Sequence, residues 1–261
     1  MLPGVARVSV IVITRNETRN IGAALESVRW ADDIVVVDSG STDDTVAIAR
    51  RYTDRVVTHP WEGYGAQKNY AAGLAAHDWV FSLDADERVT PALAQEIGAL
   101  LAAGPARQAY RIPRVTRYLG RWIRSTDWYP DRQLRLYDRR TGRWNDRRVH
   151  ESVAVDGAVG RLEAEIEHRP YRDIAHHLRT IDRYSTLAAD QMRAEGRRVR
   201  WIELVARPPL AFLRNYVARL GVRDGAPGLI VSILNTYYVF LKHAKRWEQL
   251  RTIDPGAGQT P

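Results

Sequence analysis

The chain of 261 residues contains no cysteine. That absence excludes a disulfide framework, a thiolate nucleophile and a zinc–thiolate site, and it suits a reducing compartment. No stretch reaches the ~20 consecutive apolar residues of a membrane span. The longest candidate, residues 229–241, is interrupted by three polar residues, and residues 1–8 lack the apolar centre of a signal peptide. We therefore expect a cytoplasmic globular protein without a spanning helix.

Acidic residues are outnumbered by basic ones, 31 against 39, which leaves a formal net charge of +8. Such a surface attracts anions, whether nucleic acid, phosphorylated sugars or an anionic membrane leaflet. Hydrophobic residues make up 45% of the chain, enough for a full core. The composition therefore favours a folded protein with an anionic ligand or surface as its partner.

Strand and helix patterns alternate through the first third of the chain. Nearly continuous apolar runs predict buried parallel strands, and helical periodicity or helix-start signals lie between them. This alternation with short connections is typical of a doubly wound, mostly parallel α/β sheet. The predicted strands are residues 8–14, 34–37, 55–58 and 79–83, and the predicted helices are residues 21–30, capped by Asn20, 45–51 and 66–76. The Gly-x-Gly-x-x-Gly and phosphate-loop fingerprints are missing, which disfavours ordinary dinucleotide and P-loop chemistry.

Acidic residues directly follow two of these strands. Asp38 ends the second strand, and Asp84 and Asp86 follow the fourth within Leu-Asp-Ala-Asp-Glu. Ligands of open α/β sheets bind outside the carboxyl ends of the strands. Two carboxylates one residue apart can share a hard divalent cation that bridges a diphosphate. The local alternatives are a helix-capping role for Asp38 and a plain polar turn at residues 84–87.

Three ordered blocks, residues 10–17, 35–43 and 83–87, resemble the family 2 glycosyltransferases. The resemblance implies an α/β fold of the A-type glycosyltransferase class, with a doubly wound, mostly parallel sheet and a C-terminal helical extension. The expected organisation is a nucleotide-sugar-binding and catalytic domain over residues 1–172 and a helical region over 173–254. A disordered tail is expected over residues 255–261.

The same resemblance implies a donor site at the strand ends. Asp38 would contact the uracil or ribose of a nucleotide sugar. Lys68 would neutralise the diphosphate as a point charge, or it would be a solvated helix lysine. The donor-binding candidates are Thr14, Asn16, Glu17, Asp38, Lys68 and Asp84.

The resemblance also implies a metal and a base. Asp86 would bind Mg²⁺ or Mn²⁺, and His168 would complete the coordination or be structural; imidazole suits Mn²⁺ better than Mg²⁺. Glu151 would be the general base that deprotonates the acceptor hydroxyl. His150 would orient it or act as the base itself, and the plain alternative makes Glu151 a surface residue beside a strand.

The rest of the chain is read from its patterns alone. Residues 110–115 and 133–137 alternate apolar with polar, as half-buried strands do. The aromatic residues between them suit a sugar acceptor, single-stranded nucleic acid or packing beneath a loop; they are Tyr118, Trp122, Trp128 and Tyr129. A helical pattern covers residues 174–195, and Pro208-Pro209 must start or kink a helix. Apolar helices flanked by arginine, lysine and tryptophan suit a membrane surface or packing on the catalytic domain.

The resemblance is nearest to lipopolysaccharide inner-core β-1,4-glucosyltransferases. It implies a metal-dependent inverting transferase that moves glucose from UDP-glucose to a heptose of a lipid-linked glycan, at the inner face of the cytoplasmic membrane. Transfer to a polyprenyl phosphate or another surface polysaccharide stays open, as does non-catalytic binding of an anionic glycan or nucleic acid. We expect no nucleic-acid partner, and the oligomeric state is not predicted.

Overall fold

Four apolar runs form the parallel half of one sheet. The computed structural model describes residues 6–145 and 152–252. The strands stand in the order β3-β2-β1-β4 and pair in parallel. In register, Thr14 is opposite Asp38 and Ile13 is opposite Asp84, so the central strands end together at one edge. Their bounds, β1 (Val8–Thr14), β2 (Asp33–Asp38), β3 (Val56–Thr58) and β4 (Trp79–Asp84), confirm the predicted strands.

Helices cover both faces of this sheet. Alternate strand residues point to opposite faces, and two separate cores follow: Val10 and Val36 belong to one, Ile11 and Val35 to the other. Helices α1 and α4 bury Leu25, Leu93 and other apolar side chains in the first core, while α3 buries Ala71 and Ala72 in the second. The helices are α1 (Ile21–Glu26), α2 (Thr45–Ala49), α3 (Tyr64–Leu74) and α4 (Pro91–Ala103). The arrangement confirms the doubly wound prediction.

Beyond β4 most strand pairs are antiparallel, and the pair of β11 with β6 is parallel. Strand β8 pairs with β4 and with β6, and the path continues through β12 to β5. Strands β7 and β11 also pair with β6, and β9 and β10 form a separate two-stranded sheet. These strands are β5 (Glu87–Val89), β6 (Ala109–Tyr118), β7 (Arg121–Ile123), β8 (Asp131–Asp138), β9 (Gly142–Trp144), β10 (Val153–Val155), β11 (Val159–Arg161) and β12 (Ile166–His168).

Three local predictions are wrong. Helix α1 ends at Glu26 instead of continuing to residue 30, and the Asn20 side chain donates to Glu17 (2.8 Å) rather than capping the helix. Strand β8 is not half-buried, because residues 134–138 are all buried, Arg135 included. A sequence that alternates polar and apolar residues here reflects a buried charge network on one face of the strand, not exposure to water.

The chain divides into two compact units. The first contains the strand ends described above and comprises residues up to 115 and 130–170. The second comprises residues 116–129 and those from 171 onward, with a core that includes Tyr118, Ile181 and Val231. Its helices are α5 (Ile174–Ala194), α6 (Trp201–Phe212) and α7 (Gly225–Thr252). None of the described helices combines the length and the apolar content needed to cross a bilayer.

Two adjacent prolines lie inside α6. Neither Pro208 nor Pro209 starts the helix, which already begins at Trp201. Proline has no amide N–H and removes a bond of the helical ladder. The hydrogen-bond pattern then changes from α to π over Leu213–Ala218, directly after the prolines. Prolines and π-type turns are both recognised places at which a helix bends.

Candidate active site

Asp38 organises the loop at the end of β2. Its carboxylate is buried and accepts hydrogen bonds from the backbone N–H of Gly40 (3.0 Å) and Ser41 (2.9 Å), and from the Ser41 hydroxyl (2.5 Å). Asp38 therefore does not cap helix α2. That end of the helix is held by Asp43, whose carboxylate accepts from the Thr45 N–H (3.0 Å). Hydrogen bonds from Thr18 and Thr45 lower the pKa of Asp43 to about 2.

The loop after β1 is tied to the loop after β2. Asn16 has a left-handed backbone (φ 56°), and its side-chain oxygen accepts from the Thr42 N–H (2.8 Å) while its own N–H donates to the Ser41 hydroxyl (2.8 Å). The Glu17 N–H donates to Thr45 (2.7 Å). These bonds place Asn16 and Glu17, which are predicted to bind the nucleotide sugar, beside the Asp38 loop. Asparagine tolerates the left-handed conformation better than most residues.

Thr14 lies where these loops begin. Its hydroxyl is buried and has no hydrogen-bond partner among the described residues. Buried polar atoms are normally paired. The unpaired hydroxyl is compatible with a donor contact at Thr14, which stays a prediction.

Asp84 is held between two cations. Its carboxylate lies 3.0 Å from the Lys68 ammonium and 2.5 Å from the Arg135 guanidinium. Although burial raises it, the charges of Arg135 and Lys68 hold the pKa of Asp84 well below its usual range. Lys68 is itself buried and lies 4.3 Å from the centroid of the Trp144 ring. The interpretation of Lys68 as a solvated helix lysine is therefore wrong.

Glu87 holds Asp84 and Arg135 in place. The side chain is fully buried, accepts the Asp84 N–H (3.0 Å), and lies 2.6 Å from Arg135 and 2.9 Å from Arg114. Arg114 also pairs with Asp131 at 2.6 Å. Sequence reasoning left Glu87 unassigned and did not identify either arginine. Alternation in their strands would identify the two arginines only if the strands were already known to be buried, since an arginine at an inward position of a buried strand requires a buried carboxylate.

Asp86 and His168 meet on the other side of the loop. Antiparallel pairing of β12 with β5 sets His168 opposite Glu87, and the imidazole Nε2 comes within 3.5 Å of the Asp86 carboxylate. Both side chains keep partial access to solvent, 26% for Asp86 and 15% for His168. Burial raises the pKa of Asp86, whereas the charge and the hydrogen bond of the adjacent His168 lower it, and the net shift is downward. The structure thus brings together the two predicted metal ligands, more than 80 positions apart in sequence.

Two other predictions have different outcomes. Glu151 and His150 lie outside the described residues. Of the aromatic residues proposed for the acceptor, Tyr118 is buried, bonds His177 (2.9 Å) and packs edge-on against Trp128. The structure favours the packing interpretation for that aromatic pair.

The fold and the strand-end residues are those of a glycosyltransferase with the A-type fold. Its marks are a doubly wound β-α unit, an aspartate at the end of β2 and an Asp-x-Asp pair at the end of β4. The chain belongs to glycosyltransferase family 2: the family model "Glycosyl transferase family 2" matches residues 9–161.

The similarity to two relatives extends over nearly the whole chain. The lipopolysaccharide core biosynthesis glycosyltransferase LpsC of Rhizobium meliloti is 35% identical over 92% of both chains. An uncharacterized glycosyltransferase of Rickettsia typhi is 29% identical over 92% of this chain and 86% of its own. Among solved structures, glucosyl-3-phosphoglycerate synthase from Mycobacterium tuberculosis, in complex with Mg²⁺ and UDP, is 18% identical with a TM-score of 0.49, over 74% of this chain and 80% of that one.

Proposed function

We propose that this enzyme transfers glucose from UDP-glucose to a heptose of the lipopolysaccharide inner core, with inversion at the sugar carbon. The observation that carries the transfer reaction is the convergence of Thr14, Asp38, Asp84 and the Asp86–His168 pair at one edge of the sheet. Similarity to LpsC over nearly the full length of both chains supports lipopolysaccharide core as the acceptor class.

The donor would lie against the loops after β1 and β2. Asp38 uses three acceptor positions on its own loop, and a carboxylate has about four. One position is therefore left for a ribose hydroxyl or the uracil imide. The unpaired Thr14 hydroxyl supplies a second polar contact at the same edge. The ammonium of Lys68 is offset by Asp84 at 3.0 Å, so its contribution to a diphosphate would be weaker than that of an isolated charge.

The donor set at Asp86 fits a divalent cation bound together with a ligand. One carboxylate and one imidazole, 3.5 Å apart and partly open to solvent, suit Mn²⁺ or Mg²⁺. The described residues hold no cluster of three or more such side chains, so oxygen atoms of the diphosphate and water would complete the coordination. When bound, the cation would stabilise the negative charge of the departing nucleoside diphosphate.

The chemistry requires one base. As the bond forms between the acceptor oxygen and the anomeric carbon, the bond to the diphosphate breaks, and the hydroxyl proton passes to a carboxylate, which we assign to Glu151. Attack from the face opposite the leaving group converts an α-linked donor into a β-linked product. The lipid-linked acceptor and the basic C-terminal helices support a location at the inner face of the cytoplasmic membrane.

The test is a donor screen with purified protein, core-truncated lipopolysaccharide and Mg²⁺ or Mn²⁺. We expect UDP release only when UDP-glucose is the donor, and NMR should show a β-glucosyl linkage in the product. Asp86→Ala should abolish release without unfolding the protein, whereas Asp54→Ala, which changes an exposed aspartate, should not. Transfer from a different donor would overturn the assignment of glucose, and no turnover with any donor would overturn the proposed reaction.

A further inference from the structure

Exposed apolar side chains are concentrated on one short segment of the second unit. Of the seventeen large hydrophobic residues that are exposed in the described chain, eight lie between residues 201 and 222. Soluble proteins rarely expose large contiguous apolar patches unless these bind something. The eight are Trp201, Ile202, Val205, Leu210, Leu213, Val217, Leu220 and Val222.

These side chains form a stripe along one side of α6 and its π-helical continuation. Ile202, Val205, Leu213 and Val217 are separated by multiples of three or four residues with Pro209 between them, a spacing that aligns residues on one helix face. Helix α6 packs along α7, yet no residue of α6 is buried. At ~1.5 Å per residue, the stripe from Ile202 to Val217 is about 20 Å long. We call residues 202–217 on this face the α6 stripe.

Arginines outnumber acids in the sequence that carries the α6 stripe, although Arg214 and Arg219 pair with Asp127. Between residues 197 and 223 there are seven arginines and a single acid, Glu203. That acid is already paired with Arg207 (2.7 Å), so it does not oppose an approaching anion. Arg198 and Arg200 are exposed just before the helix, and Arg223 is exposed after it. Both ends of the stripe therefore carry positive charge.

We propose that the α6 stripe docks on the surface of an anionic lipid bilayer. An aliphatic face bordered by arginine, with tryptophan at one end, is the pattern of a helix that lies in the interface with its apolar side inserted ~5–10 Å. The arginines lie where anionic headgroups would be. Single-stranded nucleic acid would instead require aromatic platforms for its bases, and the four aligned residues of the stripe are aliphatic. The proposal deepens the membrane location given under the proposed function and rests on it.

Vesicle binding by the full chain, without any sugar donor, tests this contact separately from transfer. We expect co-sedimentation with phosphatidylcholine vesicles that contain phosphatidylglycerol, and little with phosphatidylcholine alone. Val205→Glu should weaken binding about tenfold or more, because it removes an inserted apolar side chain and adds a like charge to the lipid. Arg198→Gln and Arg223→Gln should each weaken it about fivefold, and added salt should do the same.

The matched control is Val159→Glu, the same change at an exposed valine of β11. Val159 is 41% exposed and Val205 61%, so both should keep the fold, which circular dichroism checks. Equal vesicle binding by the two variants would overturn the proposal. So would a dimer, detected by light scattering without lipid, that Val205→Glu dissociates, because the stripe would then join two copies of the chain. Normal transfer to detergent-dispersed acceptor by Val205→Glu, with vesicle binding lost, would support it.

Discussion

Replacing Glu87 by glutamine should destabilise the protein far more than its conservative chemistry suggests. The carboxylate is 0% exposed and belongs to a balanced buried network. One of its oxygens contacts both Arg114 and Arg135, and the other accepts the Asp84 N–H. An amide has only one acceptor oxygen, so in either orientation its NH₂ faces another donor. The network holds three cations and three carboxylates: Lys68, Arg114, Arg135, Asp84, Glu87 and Asp131.

The expected loss follows from breaking a buried pair. Removing one partner of such a pair costs ~3–5 kcal/mol, since a charge is left without compensation. Both arginines retain a second carboxylate, Asp131 for Arg114 and Asp84 for Arg135, which favours the low end. We therefore expect the free energy of unfolding to fall by about 3 kcal/mol, measured by urea denaturation with an unchanged m value.

Glu26→Gln is the matched control. Glu26 makes an exposed pair with Arg29 at 3.4 Å, and such pairs contribute ~0–1 kcal/mol. Hydrogen exchange at the amides of β4 and β5 should locate the Glu87→Gln loss around the network. A Glu87→Gln protein within ~0.5 kcal/mol of the wild type would show that the buried charges do not need this carboxylate.

Three further predictions concern the metal, the base and pH. Asp86→Asn should lower the transfer rate by roughly 100-fold or more with little change in the free energy of unfolding. Chelation by EDTA should lower the transfer rate of the wild type in the same way, and added Mn²⁺ should restore it. Full activity in EDTA would refute metal dependence. Glu151→Gln should keep UDP binding in calorimetry but lose about 100-fold or more in transfer; an active variant would remove Glu151 as the base. Burial, then the charge of His176, lowers the pKa of His177 to about 4. Between pH 6.5 and 4 the unfolded chain therefore binds a proton that the folded chain does not, so the contribution of His177 to stability is complete above pH 6.5 and is lost as the pH falls through that range. His177→Phe should flatten this part of a profile of melting temperature against pH.

The parallel half of the sheet was predictable because its signal is local. Strands β1, β2 and β4 are buried on both faces, so each is a nearly continuous apolar run that ends in a polar residue. The sequence predicts these strands closely for that reason. Strand β5 escaped prediction because Glu87-Arg88-Val89 is short and carries two charges, and its partner β12 is nearly 80 residues away. No local pattern reports a pairing of that range.

The same difference between local and long-range signals decides which residues of the candidate site the sequence identifies. Asp38, Asp84 and Asp86 were found because acids directly after apolar strands are visible in the sequence. Arg114 and Arg135 were not, because their partners are set by the pairing of distant strands. Each lies in a strand whose sequence alternates polar with apolar residues. That alternation identifies a polar face, but it cannot tell whether the face meets water or a buried carboxylate.

The charge network explains why the two acids of Asp-x-Asp have different surroundings. Asp84 lies at the end of β4 and is fixed by Lys68 and Arg135, while Asp86, two residues on, reaches only His168 within ion-pair distance among the described residues. A carboxylate neutralised by two cations is a poor ligand for a third, because the new ion must compete with charges already in place. Asp86 is left with a single imidazole and partial access to solvent. If a divalent cation binds here as proposed, the network would leave Asp86 as its ligand and Asp84 as a residue that holds the loop. For that reason, loss of Glu87 should first lower stability, and loss of Asp86 should first lower activity.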